Sequence, residues 1–489
     1  MSGGSKRFPV GQAAVLFAFA LLCGVALHFT PGAWDIQRDP RRIALAVLAA
    51  LAFAVFCIAL ARRRRRARAS ARSVGAGVLP VFFASQTGQA ELYARRTAEA
   101  LVAAGAPAAA RPLSVLDAKA MQALDRALFV VSTTGEGDAP DTAAGFVARL
   151  LGSALPLKNL RYGLLALGDR RYQDFCAFGR RLDAWLREQG AAPEFPMIEV
   201  DDADAAALSQ WRERLAQFAG ADALPQWQEQ PFREFTIVER TELNPGSLGE
   251  PVFHVALEPL RDGMPEWRAG DIVQIVPGPA TPPDGATTDR KPREYSIASI
   301  PSDRQLYLLI RQGRRPDGSL GLGAGWLTRF APIGEPVLLR IRENPNFHAP
   351  EDDAPLILIG NGTGIAALRA LLRERIEQGR TRNWLLFGER QRERDFFYRE
   401  ELERWLAQGE LAHLDLAFSR DGAEKIYVQR RMREQAQRLR DWVAGGAHLL
   451  VCGSQHGMAG GVDATLRELL GEAQVLRLSE TGRYRRDVY

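Results

Sequence analysis

The sequence predicts an α/β protein in four parts: a membrane helical hairpin, a doubly wound parallel sheet, a small antiparallel β-barrel and a second α/β unit. Three observations carry this reading. Two long uncharged stretches open the chain, short apolar runs then alternate with amphipathic helical stretches, and a later region alternates strands with Gly/Pro turns. The 489 residues suit about three folded units at roughly 150 residues each. A hydrophobic fraction of 46% and a charged fraction of 25% exclude both disorder and a wholly membrane-embedded chain.

The hairpin is expected over residues 1–72. No formal charge lies between Arg7 and Asp35, and PVGQAAVLFAFALLCGVALHFT could cross roughly 30 Å of hydrocarbon as a helix. A second uncharged stretch, IALAVLAALAFAVFCIALA, runs from Ile43 to Ala61 and is followed at once by RRRRRARASAR, a positive-inside signal. The expectation is an inner- or plasma-membrane, multi-pass protein with both ends and all catalytic domains cytoplasmic. The net charge is +5, but Arg62–Arg66, Arg68 and Arg72 exceed that surplus by themselves. The basic pI therefore gives no argument for a nucleic-acid partner. Cys23, Cys57, Cys176 and Cys452 are far apart and lack CxxC spacing, so neither a disulfide framework nor a metal site is expected.

Residues 78–220 carry the strands LPVFFA, ALFVVST and YGLLALG between helical stretches such as AELYARRTAEALVAAG, the pattern of a parallel sheet. The turn-rich GADALPQWQEQPFREF reads as a linker. Residues 229–350 then give EFTIVERTEL, VFHVALEPL, DIVQIVPG, QLYLLIRQG and PVLLRIR, short strands suited to a barrel. Another α/β unit, 351–489, opens with PLILIG.

The first of these strands runs into Ser85, Gln86, Thr87, Gly88 and Gln89 before a helix. Backbone N–H groups and hydroxyls there could wrap a phosphate monoester, whereas a triphosphate loop would need Gly-Lys-Ser/Thr. A plain Ser/Thr helix cap is the bland reading. STTGEGDAPD from Ser132 and LGDRRYQDFC from Leu167 lie at later strand ends, where open α/β sheets bind ligands.

Together the three loops resemble the flavodoxin-type FMN domain of diflavin reductases, the group that includes NADPH-sulfite reductase flavoproteins and NADPH-hemoprotein reductases. The resemblance implies that Tyr172 stacks on the isoalloxazine and that Thr133, Thr134, Gly135, Gly137, Gly168, Asp169 and Phe175 line it. Thr134 stands where many relatives carry an aromatic residue. REYSIAS, from Arg293 to Ser299, resembles the RxYS signature of ferredoxin-NADP reductases. By that likeness Arg293 forks on the FAD diphosphate, Tyr295 packs on the flavin and Ser296 reaches the nitrogen that receives hydride. GLGAGWL supplies Gly323, Ala324, Gly325 and Trp326 at the family's second diphosphate loop.

PLILIGNGTGIAALRALLRER is strand, turn and helix, with Gly362, Thr363 and Gly364 placed for a pyrophosphate. It resembles the reductases' GxGTGIAP turn, with Ala367 in place of proline. AFSRDGAEKIYVQ brings Ser419, Arg420, Lys425, Tyr427 and Gln429, whose cations and hydroxyls suit a 2′-phosphate and hence NADPH. The resemblance further gives catalytic positions to Ser296, Cys452 and Asp487, and to Tyr489 as the aromatic shield over FAD where relatives often have tryptophan. The cofactors implied are FMN, FAD and NADPH. Between IVPG and REYS only a short stretch occurs, where longer relatives insert a helical connecting domain.

The resemblance covers roughly Leu79 to Tyr489 and implies a membrane-anchored NADPH-dependent diflavin oxidoreductase. Electrons would run from NADPH to FAD to FMN, and then to a heme protein, a sulfite reductase hemoprotein, a ferric siderophore or other chelate, or a membrane quinone or cytochrome. The alternative is a single-flavin FAD reductase whose flavodoxin-like unit is an acceptor-docking module.

Overall fold

The computed structural model describes residues 77–489, apart from 136, 171, 203, 220–223, 225, 226, 228, 229, 262, 279–290 and 316. Six strands form the first sheet: β1 (Leu79–Ala84), β2 (Ala108–Pro112), β3 (Arg126–Ser132), β4 (Arg161–Gly168), β5 (Ala192–Pro193) and β6 (Ile198–Asp201). Their order is β2-β1-β3-β4, all parallel, with β5 and β6 pairing successive parts of β4. Pro193 and Pro196 have no N–H to give a ladder, so the fifth strand position is filled by two pieces.

Alternation along the strands serves two cores. Val81, Phe83, Leu128 and Val130 face α1 (Gln89–Ala103), while Phe82, Phe129 and Tyr162 face α2 (Ala144–Arg149) and α3 (Ala177–Glu188). Helix α4 (Ala205–Ala219) joins the first of these cores through Leu208, Trp211 and Leu215.

The antiparallel part contains β7 (Arg233–Glu242), β8 (Val252–Pro259), β9 (Ile272–Ile275), β10 (Arg293–Ser296), β11 (Leu306–Arg311) and β12 (Pro336–Arg342). Their order is β10-β9-β12-β7-β8-β11, and an isolated bridge between Ile297 and Leu308 brings the two ends together into a barrel. Inward residues such as Phe235, Ile237, Val255, Val273, Ile310 and Leu339 fill it.

A five-stranded parallel sheet follows, in the order β15 (His413–Phe418), β14 (Asn383–Glu389), β13 (Leu356–Asn361), β16 (His448–Gly453), β17 (Tyr484–Val488). Its central strands are covered on both faces, which is why LILI, WLLF and LLVC read as unbroken apolar runs. Helix α5 (Ile365–Glu377) wedges between this sheet and the barrel, sharing one core with Val252, Ala298, Ile300 and Leu309. Arg369 of α5 donates to the Ala298 carbonyl at 2.6 Å and pairs with Glu401, so its buried charge is matched.

The predicted α/β, parallel-sheet and antiparallel-barrel parts are present. The expected membrane localisation is corrected. Among the described residues no helix is long and apolar enough to cross a membrane. The longest, α1 and α4, have 15 residues each, short of the roughly 20 that a span requires. The two stretches taken for spans, within 1–72, lie outside the described residues.

Candidate functional site

The C-terminal edges of both parallel sheets and one end of the barrel surround a single cavity of about 1180 Å³. Parallel strands leave their carboxyl ends free for loops, so the glycine- and hydroxyl-rich turns of the sequence converge there.

On the side of the first sheet, Gln86, Thr87, Gln89, Thr133, Thr134, Gly135, Gly168, Asp169, Tyr172 and Phe175 line the cavity. Ser85 is buried behind it, and its Oγ caps α1 by accepting from the Ala90 N–H at 3.1 Å. Gly88 and Gly137 shape their loops from outside the cavity wall. The second loop is pinched by paired backbone bonds between Thr134 and Asp138 of 2.9 and 2.8 Å. Thr134 lines the cavity, and its hydroxyl is buried with no hydrogen-bond partner among the described residues. Phe175 is mainly a core residue, stacked beneath the Arg170 guanidinium at 4.6 Å. The Gln86 amide is already used: Nε2 donates to Asp141 Oδ2 and to the Arg486 carbonyl, each at 2.9 Å.

From the barrel come Tyr295 and Ser296. Gly323 brings the second predicted diphosphate loop against the first, since a Cβ there would fall 2.4 Å from the Tyr295 hydroxyl and 2.7 Å from Arg293 Cγ. Arg293, Gly323, Ala324, Gly325 and Trp326 thus form a cluster beside the cavity and do not line it.

The last sheet supplies Gly362, Thr363, Ser419, Arg420, Tyr427, Gln429, Asp487 and Tyr489 to the wall. Gly364 permits the closest approach: a Cβ there would sit 2.2 Å from the Cys452 carbonyl oxygen and 2.7 Å from Gly453 Cα. The turn before α5 therefore lies directly on the end of β16. Lys425 is exposed and outside the cavity wall.

Ser296, Cys452 and Asp487 meet across the barrel and the last sheet. The Ser296 hydroxyl donates to Asp487 Oδ2 at 3.4 Å, and Cys452 and Asp487 are neighbours in the β16–β17 register. Burial pushes the Asp487 carboxyl up to about 6, with nearby Glu294 adding to the rise and Arg342 opposing it. Burial raises the Cys452 thiol well above its ordinary range, helped by the Asp487 charge. Tyr489 is 54% exposed, and its hydroxyl shares a 3.0 Å hydrogen bond with Thr363. The backbone behind that ring is fixed, because Tyr489 N–H donates to Gly453 and Gln455 N–H donates to Tyr489.

Sequence reasoning missed Asn361, Arg311, Glu389 and Arg390. Asn361 Oδ1 accepts from Ser454 N–H at 3.0 Å and ties two loops of the site together. Arg311 pairs with Glu389 at the cavity wall, and Arg390 lines it beside Arg420. Glu389 and Arg390 stand at the carboxyl end of β14, a position that the strand-end rule could have flagged.

The chain matches the flavodoxin family model over residues 81–213 and the oxidoreductase NAD-binding domain model over residues 358–464. It is similar to the sulfite reductase (NADPH) flavoprotein alpha-component of Vibrio cholerae, 28% identical across 85% of this chain and 88% of the relative. The proteins of that description from Vibrio vulnificus and Shewanella sp. strain ANA-3 are also 28% identical over 85% of this chain, covering 88% and 90% of their own lengths. The hydroxyl, amide and glycine groups of the strand-end loops that line the cavity fit flavin and nucleotide ligands. Two nucleotide-type domains on one chain, joined by a barrel and matched over 85% of its length by such relatives, make it similar to the diflavin reductases, and the chain is an NADPH-dependent flavoprotein reductase whose cofactors are FMN, FAD and NADPH.

Proposed function

We propose that residues 78–220 hold FMN, 229–350 hold FAD and 351–489 hold NADPH, and that the chain supplies electrons to a sulfite-reducing partner. The observation that carries this is the single cavity, which loops from all three sheets line. The nicotinamide supplies a hydride and the flavins divide it into single electrons.

The chain's own residues bind and orient. The SQTGQ turn and the start of α1 offer neutral donors for the FMN phosphate, with Tyr172 as the stacking face. Arg293 is placed to fork on the FAD diphosphate beside Tyr295 and the 323–326 loop. Gly362–Gly364 and the N-terminus of α5 receive the NADPH pyrophosphate, and Ser419, Arg420, Lys425, Tyr427 and Gln429 the 2′-phosphate. Tyr489 is held by one side-chain hydrogen bond, which suits a ring that moves aside for nicotinamide. Asp487, with a pKa near neutrality and within reach of Ser296, can hold or release a proton at the Ser296 hydroxyl. Cys452 stays a neutral thiol and acts by packing.

The sulfite-reducing acceptor is drawn from the relatives' description. The test is extraction and chromatographic quantification of flavins from the purified chain, followed by NADPH-driven reduction of a sulfite-reducing hemoprotein. Equal FMN and FAD with rapid reduction is the expected result. FAD alone, with no FMN uptake on reconstitution, would leave the flavodoxin-like unit as a docking module.

A further inference from the structure

The first sheet and the C-terminal strand β17 are joined by a contact between Asp141 and Arg486, neither of which has a flavin-binding role above. Arg486 projects from β17 to Asp141, on the short turn of helix Asp141–Ala143 that follows the second loop of the flavodoxin-like unit. Its Nε donates to Asp141 Oδ2 at 2.6 Å and its Nη2 to Oδ1, a two-pronged pair with both side chains at most one-fifth exposed. Gln86 completes the joint. Its amide donates to Asp141 and to the Arg486 carbonyl, and its Oε1 accepts from Asp141 N–H at 2.9 Å. Burial works against the Arg486 charge, but the hydrogen bond and charge of Asp141 more than offset it and hold the guanidinium's pKa above its ordinary value.

Arg486 is one residue from Asp487 and three from Tyr489, so the segment that carries the Ser296 partner also grips the flavodoxin-like unit. A second, softer contact lies nearby: Arg342 donates to the Thr87 carbonyl at 2.6 Å and Asn346 to the Ser85 carbonyl at 3.2 Å. Those bonds reach backbone oxygens. The Asp141–Arg486 pair fixes direction as well, because a planar fork accepts a carboxylate in one plane. A buried pair of this kind adds little net stability against an apolar contact, and its best-attested use is to select one arrangement.

We propose that Arg486 and Asp141 are positioning residues that seat the flavodoxin-like unit on β17 for transfer between the flavin sites, touching neither flavin. This rests on the two-flavin reading above. The experiment uses the full chain with both flavins bound and compares Arg486→Gln, Asp141→Asn, Arg486→Lys and the charge exchange of Asp141→Arg with Arg486→Asp. Three quantities are read: NADPH–ferricyanide turnover, where the dye takes electrons from FAD; NADPH–cytochrome c turnover, as a haem probe reached through FMN; and flavin content.

The expected result for Arg486→Gln and for Asp141→Asn is a fall of about tenfold with cytochrome c, a change of less than about twofold with ferricyanide, and full FMN. Arg486→Lys should recover part of the loss and the charge exchange more. Equal loss with both acceptors would place Arg486 in the FAD or nicotinamide site and overturn the proposal. So would loss of FMN, or unchanged turnover with cytochrome c. Should Arg486→Gln fail to fold, the near-isosteric Asp141→Asn on the other unit carries the same test. The wild-type chain stripped of FMN serves as the control: retained cytochrome c reduction there would sink the two-flavin reading itself, independently of the joint.

Discussion

The two sides of the cavity differ in the charge they present. Among the described residues, the wall contributed by the first sheet has no lysine or arginine; its polar groups are hydroxyls, amides and backbone together with the carboxylates of Asp169, Asp174 and Asp202. The wall contributed by the barrel and last sheet brings Arg311, Arg390 and Arg420. Neutral, preformed donors hold a ligand through many short contacts and suit a resident cofactor. Exposed cations such as Arg420 draw a charged ligand in from solution and let it go, which suits a nucleotide that exchanges at every turnover. Under the proposed assignments, phosphate recognition in one molecule is tuned for residence on one side and for exchange on the other.

The largest effect that would break this comparison is Gly364→Ala. The new methyl would meet backbone at 2.2 and 2.7 Å, with no flexible side chain to give way. The expected cost is about 3 kcal/mol, seen as a lowered Tm and loss of NADPH binding with FMN retained. Loss of FMN to the same degree would mean the two sides do not act separately.

Tyr172→Ala comes next. Removing the stacking face should weaken FMN by roughly 2 kcal/mol, about thirtyfold, while NADPH–ferricyanide turnover is spared. Retention of FMN through gel filtration at low protein concentration would move the stacking role elsewhere.

Asp487→Asn sharpens the barrel side. The folded carboxyl titrates near 6, above its ordinary value of 3.8. The folded state therefore favours the proton, and the wild-type protein loses stability as pH rises from about 4 through 6. The amide does not titrate in this range, so the variant should be more stable than wild type at pH 8, the gap closing near pH 4. Thermal melts across that range check it, and an inflection near pH 6 in the ferricyanide rate should vanish with the carboxyl.

The smallest expected effect is at Arg420→Ala. It should raise the KM for NADPH about tenfold, equivalent to ~1.4 kcal/mol, leave NADH unaffected and flatten the salt dependence. An equal rise for NADH would point to the pyrophosphate instead.

The fold was legible because its signals are local. Each parallel strand is a short apolar run ending in a Gly- or hydroxyl-rich turn, and the barrel strands carry Gly/Pro boundaries. The loops at the carboxyl ends of β1, β3, β4 and β13 were found for the same reason. What stayed hidden depends on contacts distant in sequence. Gln86 reads as a phosphate ligand in the sequence because it stands in a hydroxyl- and glycine-rich turn; nothing local tells that its amide turns to Asp141 and to a carbonyl 400 positions away. Arg486 likewise looks like one more charge in GRYRRDVY until β17 brings it to Asp141. Lys425 shows the other limit of local reading: its spacing matches that of Arg420 and Tyr427, and only the fold shows that it stands exposed, outside the cavity wall.

The burial of Cys452 bears on oxidative chemistry. Flavins that meet oxygen generate peroxide, and peroxide attacks thiolates far faster than thiols. Cys452 and Cys176, the two described cysteines, are fully buried, and burial pushes both thiols upward, that of Cys176 to about 12. A sulfur packed in β16 with its proton retained offers an oxidant no thiolate to attack, so Cys452 is spared the peroxide that a neighbouring flavin releases in air.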